Sequence, residues 1–179
     1  MKSKIQIRIV IAVLLSLSFY CQNIQAQGYA SSAYKIQTIF MYNFSKYIEW
    51  PAETSQGEFV IGIIGPEELV KEVENMANIK STEGRKFVVK QISSPAEADQ
   101  LHILLISSKD DQHIPAAVAR YEGSPTLVVS QSDNALAMGS CVNFLVNAQG
   151  KMQYELNEDR IKGKGLKIAS SLLSLATNR

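Results

Sequence analysis

The apolar positions of this chain follow two different periods that alternate along the sequence. Three short stretches are almost continuously apolar, as strands buried on both faces of a sheet are: residues 59–65, 102–107 and 126–130. Between them, residues 66–77 and 114–121 carry apolar side chains three or four positions apart, which predicts amphipathic helices. A further strand is predicted at residues 86–92. This order predicts an α/β fold, a mainly parallel sheet with helices on both faces.

The same patterns predict the elements that precede and follow this central part of the sequence. A first helix is predicted over residues 30–48, with one buried face formed by Ala33, Ile36, Phe40, Phe44 and Tyr47. Pro51 disfavours helical backbone at Trp50 and ends that helix there. Residues 133–138 are predicted as a short helical piece. The final elements are an antiparallel hairpin of residues 141–146 and 152–156 and an amphipathic helix over residues 166–176.

The first residues have the pattern of a cleaved secretory leader. Lys2, Lys4 and Arg8 precede an apolar run over residues 9–20, and Ala26 closes a cleavage site. We therefore interpret residues 1–26 as a signal peptide and residues 27–179 as a single exported domain. A lipoprotein signal centred on Cys21 is the weaker alternative, because bulky aromatic residues precede that cysteine.

Charge and cysteine content narrow the classes of function. Without residues 1–26, which hold three basic and no acidic side chains, the chain keeps 15 basic and 17 acidic residues. A nearly neutral domain lacks the excess of positive charge that is typical of proteins that bind nucleic acid. Cys141 is the one cysteine left after cleavage, so no intramolecular disulfide is expected. Its apolar surroundings predict a buried small hydrophobe; a thiol for an intermolecular bridge is the alternative.

No catalytic constellation emerges from the titratable residues. His102 begins an apolar strand and His113 lies in a polar loop, without the spacing of metal ligands. We predict no catalytic residues, no metal site and no cofactor. A small-molecule pocket is the open alternative, at the carboxyl ends of the strands near Gly65, Ser107 and Ser130.

Nine landmarks in the sequence, in this order, resemble the YfiR family: residues 40–46, Glu49-Trp50-Pro51, residues 59–65, Gly84-Arg85-Lys86, residues 102–108, residues 127–130, Gly139 with Val142-Asn143-Phe144, residues 154–157 and residues 165–173. The most specific are Asn-Phe-x-Lys-x-x-Glu-Trp-Pro at 43–51 and Gly-Leu-x-Ile-x-Ser-x-Leu-Leu at 165–173. The resemblance implies a periplasmic protein with a helix-flanked sheet that represses a membrane-bound diguanylate cyclase through its periplasmic sensor domain. Its release would raise cyclic di-GMP and favour biofilm formation.

One feature of the family does not carry over to this chain. Some relatives carry cysteine pairs that tie repression to redox state, whereas the exported part here has a single cysteine. Family members also tend to self-associate, which leaves a homodimer open.

Two hypotheses of function follow. The first is a non-catalytic inhibitory protein whose candidate contacts to a membrane diguanylate cyclase are Tyr42, Tyr47, Trp50, Pro51, Leu166, Ile168 and Leu172. Aromatic residues are enriched at interface hot spots, although the domain itself could cover them. The second is a periplasmic small-molecule-binding module that acts with another membrane sensor, such as a histidine kinase, and uses the Gly65, Ser107 and Ser130 pocket.

Overall fold

The computed structural model describes residues 32–177, so that the predicted signal peptide and Cys21 lie outside the described residues. The helices in this part are α1 (32–47), α2 (Glu67–Ile79), α3 (Ile114–Arg120), α4 (Glu158–Gly163) and α5 (Ser170–Leu175). The strands are β1 (Ile48–Glu49), β2 (Phe59–Ile64), β3 (Ser81–Thr82), β4 (Arg85–Gln91), β5 (Ile103–Ile106), β6 (Leu127–Ser130), β7 (Val142–Val146), β8 (Met152–Leu156) and β9 (Lys167–Ile168).

Seven of these strands form one sheet in the order β3-β4-β2-β5-β6-β7-β8. The central pairs, from β4 through β2, β5 and β6 to β7, are parallel. The two outermost pairs, β3 with β4 and β7 with β8, are antiparallel. The predicted mixed α/β fold with a mostly parallel sheet is confirmed, as is the hairpin of β7 and β8.

The apolar strands are buried on both faces because helices cover each side of the sheet. Alternate residues such as Ile61, Ile63 and Leu105 belong to a core that includes α1, α2, α4 and α5. The residues between them, such as Leu104 and Ile106, pack with α3 on the other face. Continuous apolar runs are what such doubly covered strands require.

The chain changes direction across this sheet between β2 and β5. From β2 the chain crosses through α2 to β4 on one side, whereas from β5 it crosses through α3 to β6 on the other. The carboxyl ends of β2 and β5 therefore mark a topological switch point, where open α/β sheets commonly bind ligands.

The first helix ends one residue before the predicted boundary, and Pro51 is not the residue that ends it. The helix stops at residue 47, and Ile48–Glu49 forms β1, which pairs antiparallel with β9. Ile48 lies opposite Ile168, and the Ala169 amide donates to the Tyr47 carbonyl at 2.9 Å. A partner strand more than a hundred residues away, rather than Pro51, takes the backbone out of the helix.

The single helix predicted over residues 166–176 is also wrong, because its first residues form β9 and only Ser170–Leu175 is helical. Short apolar segments fit either period, and the pairing with β1 decides between them. Residues 133–139 form consecutive turns in place of the predicted helical piece. Helix α4 is an additional element that the sequence pattern does not predict. Asn157 caps it by accepting a hydrogen bond from the Arg160 amide at 2.9 Å.

The buried face of α1 differs from the predicted one. Phe44 is buried as predicted, but Met41 is buried beside it and the polar side chains of Gln37 and Thr38 are buried as well. Tyr47 and Ile36, both assigned to the buried face, are exposed. The helix is therefore rotated relative to the prediction, and it presents apolar side chains to solvent.

Cys141 behaves as the sequence predicted. Its side chain is fully buried, and burial raises the pKa of the thiol. A buried, protonated thiol is a poor partner for an intermolecular disulfide.

Candidate functional site

The segment from Trp50 to Glu58, called the strap below, lies across the amino ends of the central strands. Pro51 starts a 3₁₀ turn over Ala52–Thr54. The Ser55 hydroxyl donates to the carbonyl of Trp50 at 3.1 Å and to that of Pro51 at 2.9 Å. These local bonds shape the strap. Three side chains, called the anchors below, hold it on the sheet.

Trp50 is the first of these anchors. Its ring meets the ring of Phe59 edge-on, with centroids 4.9 Å apart. Its indole Nε1 donates to the carbonyl of Pro125 at 2.9 Å. The side chain therefore joins the start of the strap to β2 and to the loop before β6, with both its apolar body and its polar atom engaged.

Arg85, the first residue of β4, is the second anchor. Its Nε donates to the carbonyl of Gly57 at 3.0 Å. Its Nη2 donates to the carbonyls of Thr54 and Glu58, both also at 3.0 Å. The guanidinium lies 5.3 Å from the centre of the Phe59 ring. A planar group with several fixed donors suits this capture of three carbonyls.

His102, the third anchor, lies just before β5. Its Nδ1 accepts a hydrogen bond from the Val60 amide at 3.0 Å. The other nitrogen of a neutral ring is then a donor, and Nε2 lies 2.8 Å from the carbonyl of Thr54. The ring also stacks on Phe59 with centroids 4.5 Å apart. Burial lowers the pKa of His102 and Arg85 lowers it further, whereas the hydrogen bond to Thr54 opposes them.

A cleft of about 670 Å³ opens beside the strap and His102. Apolar side chains such as Val60 and Leu101 line it, together with the carboxylates of Glu53, Glu58 and Asp99. The cleft lies at the amino ends of β2, β5 and β6, which is the edge of the sheet opposite the pocket that the sequence predicted.

The sequence alone assigns no role to Arg85 or His102. His102 has no metal-ligand spacing to His113, and Arg85 belongs only to the Gly84-Arg85-Lys86 landmark. The signal that could have found the site is the set of landmarks itself, since Trp50, Phe59, Arg85 and His102 belong to four separate ones and meet in the fold.

The candidate contact residues fall into two groups. Tyr47 has 43% of its surface exposed, and the ammonium of Lys46 lies 5.8 Å from its ring and 5.6 Å from that of Tyr42. Tyr42 is half-buried against Phe87. Trp50 and Pro51 belong to the strap and are partly exposed.

The other group lies in the C-terminal segment. Leu166 and Leu172 are 1% and 3% exposed and belong to the core. Ile168 is half-buried in β9. A Cβ built on Gly165 would lie 3.5 Å from Pro51 Cγ, so the strap and this segment touch. Within the folded domain, the two leucines therefore stabilise the core and leave surface contacts to the other five residues.

Two of the alternative pocket residues, Gly65 and Ser107, lie at the switch point, and Ser130 lies beside them at the carboxyl end of β6. A Cβ built on Gly65 would lie 3.1 Å from Ser107 Cβ, so the two strand ends are in close contact. The Ser107 hydroxyl donates to Asp110 Oδ2 at 2.6 Å, and the Ser130 hydroxyl donates to Ser140 Oγ at 2.8 Å. Both hydroxyl protons are thus engaged by side chains of the chain itself.

Gln37 of α1 adds an unusual polar atom near this edge. Its Nε2 donates to Oε1 of Gln131, which follows β6, at 2.8 Å. Its own Oε1 is buried and has no hydrogen-bond partner among residues 32–177. Buried acceptors are nearly always paired, so this atom is the exception to explain.

Within the described part of the chain, no group of three or more histidine, cysteine or carboxylate side chains is placed to hold a metal ion. None of the helices over residues 32–177 has the length and apolar character needed to cross a membrane.

Comparison with known proteins agrees with the resemblance found in the sequence. The model of the YfiR/HmsC-like family matches residues 34–177. No curated protein matches the chain. The family match confirms the resemblance and indicates a periplasmic regulator of a diguanylate cyclase system with a membrane-associated partner.

Proposed function

Because this chain belongs to the YfiR/HmsC-like family, we propose that it is an exported, non-catalytic protein that binds the periplasmic sensor domain of a membrane diguanylate cyclase and holds the cyclase inactive. Its action would lower cyclic di-GMP, and its release would favour biofilm formation. The family match over residues 34–177 carries this proposal.

The outer face of α1 supports a contact with another protein. Ile36, Ile39 and Tyr47 are exposed on this helix, Ile39 with 58% of its surface. Lys46 lies between the rings of Tyr42 and Tyr47 and adds a positive charge. An exposed tyrosine with apolar neighbours is typical of the centre of a protein interface, whereas a lysine beside it belongs to the polar rim. We therefore place the contact with the sensor domain on this face.

Replacing Tyr47 by alanine is expected to weaken binding of the sensor domain at least tenfold, because truncating a hot-spot aromatic residue costs about 2 kcal/mol or more of binding energy and about 1.4 kcal/mol already corresponds to tenfold. The free energy of unfolding should change by less than about 1 kcal/mol, since 43% of the Tyr47 surface is exposed and the residue lies outside the core. Pull-down from membranes with the wild-type protein as bait identifies the sensor, and titration calorimetry with its purified periplasmic domain gives the dissociation constants.

Ile79→Ala is the control, because Ile79 is an exposed apolar residue on a different helix, α2, with 77% of its surface accessible. This variant should bind the sensor domain as the wild type does. Equal affinity of Tyr47→Ala and wild type would remove α1 from the interface. Recovery of no membrane protein with an extracytoplasmic sensor and a cyclase domain would count against the proposed partner.

A second candidate function is supported by Gln37. The chain would then be a small-molecule-binding module that acts with another membrane sensor, such as a histidine kinase. The unpaired Gln37 Oε1 calls for a hydrogen-bond donor near the switch point. Burial raises the pKa of Tyr34, and the carboxylates of Glu68 and Asp110 raise it further, which places negative charge at this edge. An edge with acceptors and a carboxylate favours ligands that carry an amine over phosphates.

Thermal-shift screening with amino acids and nucleotides tests this second function. An amino acid at a hundred times its dissociation constant should stabilise the protein by about 2.7 kcal/mol. Gln37→Met removes the unpaired oxygen at similar volume, so the shift should disappear in that variant. An absence of any shift, or an equal shift in Gln37→Met, would contradict binding at this position.

A further inference from the structure

We propose that His102 is a pH-sensitive latch that keeps the strap on the sheet while its ring is neutral and releases the strap when the ring takes up a proton. The inference concerns the conformation of residues 50–58 and does not depend on the identity of the partner. It rests on three contacts of the ring: the Val60 amide, the Thr54 carbonyl and the Arg85 guanidinium.

The hydrogen bond from the Val60 amide requires Nδ1 of His102 to be an acceptor, which the neutral ring can provide and the charged ring cannot. Nδ1 accepts from the Val60 amide at 3.0 Å, and Nε2 faces the Thr54 carbonyl at 2.8 Å. A second proton would have to sit on Nδ1, where it would point at the hydrogen of the Val60 amide. The charged ring is a donor at both nitrogens and cannot keep this bond. Protonation therefore requires the ring or its surroundings to move.

The charge next to the His102 ring also disfavours its protonation. Arg85 Nη2 lies 2.8 Å from His102 Nε2, so an imidazolium would stand against a guanidinium that stays charged at every relevant pH. Burial lowers the pKa of His102 and Arg85 adds to the effect.

The carboxylates that line the cleft with His102 are solvent-exposed. Glu53 and Glu58 of the strap and Asp99 before β5 line the cleft with their side chains exposed. Asp99 is paired with Arg120. Glu83 acts on Arg85 rather than on the histidine. Among the described residues, the charged group in contact with the ring is thus a cation.

Arg85 transmits the change to the strap because the two side chains share a ligand. Both His102 and Arg85 bind the carbonyl of Thr54, and Arg85 also holds those of Gly57 and Glu58. Repulsion between a protonated His102 and Arg85 therefore displaces the guanidinium that binds three carbonyls of the strap. Release frees Trp50 from Phe59 and widens the cleft.

The sign of the pH dependence follows from the lowered pKa. Above the ordinary histidine pKa of about 6.5, the ring is neutral in the open and closed forms and the latch is fully present. As the pH falls below that value, His102 takes up a proton more readily in the open form, with the strap released, than in the closed form, with the strap on the sheet. The closed form therefore becomes less stable relative to the open form. A protein outside the cytoplasm would meet such changes in the surrounding medium.

Trp50 provides the measurement, since it is the only tryptophan in the chain and its ring lies 6.1 Å from His102. The emission of the purified protein is recorded from pH 7.5 to 4.5, with far-ultraviolet circular dichroism to follow the rest of the fold. We expect a reversible red shift below pH 6.5 while the circular dichroism stays constant. NMR of the His102 ring protons over the same range should give the same midpoint.

His102→Gln and His113→Gln are the matched variants, because they replace the two histidines of the chain by the same neutral residue. His102→Gln should abolish the red shift, and His113→Gln should keep it at the wild-type pH. A red shift of equal size and midpoint in His102→Gln, no red shift in the wild type, or an NMR midpoint more than one pH unit from the fluorescence midpoint would each overturn the latch.

Discussion

Replacement of Leu166 by alanine is expected to lower the free energy of unfolding by about 2–5 kcal/mol, the range for a leucine truncated in a packed core. Leu166 is 1% exposed and follows Gly165, whose positive φ of 73° turns the chain out of α4. The Leu166 amide donates to the carbonyl of Ile161 at 3.3 Å, which fixes the side chain over the core. Urea unfolding followed by circular dichroism measures the change.

Leu175→Ala is the control for this substitution. Leu175 lies in the same C-terminal segment but is 69% exposed, so its truncation should change the free energy of unfolding by less than about 0.5 kcal/mol. If Leu166→Ala were as stable as the wild type and yet failed to bind the sensor domain, Leu166 would be a contact residue, and its assignment to the core would be wrong.

Trp50→Ala is expected to destabilise the protein by about 3 kcal/mol, at the lower end of the range for a large aromatic side chain because Trp50 is partly exposed. The substitution removes the edge-on contact with Phe59 and the hydrogen bond from Nε1 to the Pro125 carbonyl. The remaining anchors, Arg85 and His102, should keep the domain folded. Urea unfolding by circular dichroism measures the loss.

Trp50→Phe separates the two contributions. A phenylalanine keeps an aromatic ring against Phe59 but has no donor for the Pro125 carbonyl, so a loss of about 1 kcal/mol is expected. A loss below about 1 kcal/mol for Trp50→Ala itself would show that the strap is already loose at neutral pH, against the contacts in this structure.

Substitutions at the candidate contact residues are expected to affect either binding of the partner or stability of the domain, depending on whether the residue is exposed or buried. The exposed Tyr47 can be truncated with little effect on folding, whereas the buried Leu166 and Leu172 cannot. Binding measurements on variants of these two leucines therefore report on folding before they report on the partner.

The candidate site shows what a one-dimensional pattern leaves out. Trp50 drew attention in the sequence as an aromatic residue before a proline, but its partners Phe59, Pro125 and His102 come from three other segments. Arg85 stood out in the sequence only as part of the Gly84-Arg85-Lys86 landmark, just before the predicted strand. Its role depends on the backbone carbonyls of the strap. Every residue has such a carbonyl, so the sequence does not indicate which ones Arg85 binds.

The sequence by itself determined the central strands, because a strand covered on both faces must be apolar at every position and such runs have few other interpretations. It also determined the family, through landmarks in a fixed order. The rotation of α1, the pairing of β1 with β9 and the meeting of Trp50, Arg85 and His102 were decided by the tertiary structure. Each depends on contacts between residues far apart in the chain, whereas periodicity reports only which neighbours share a face.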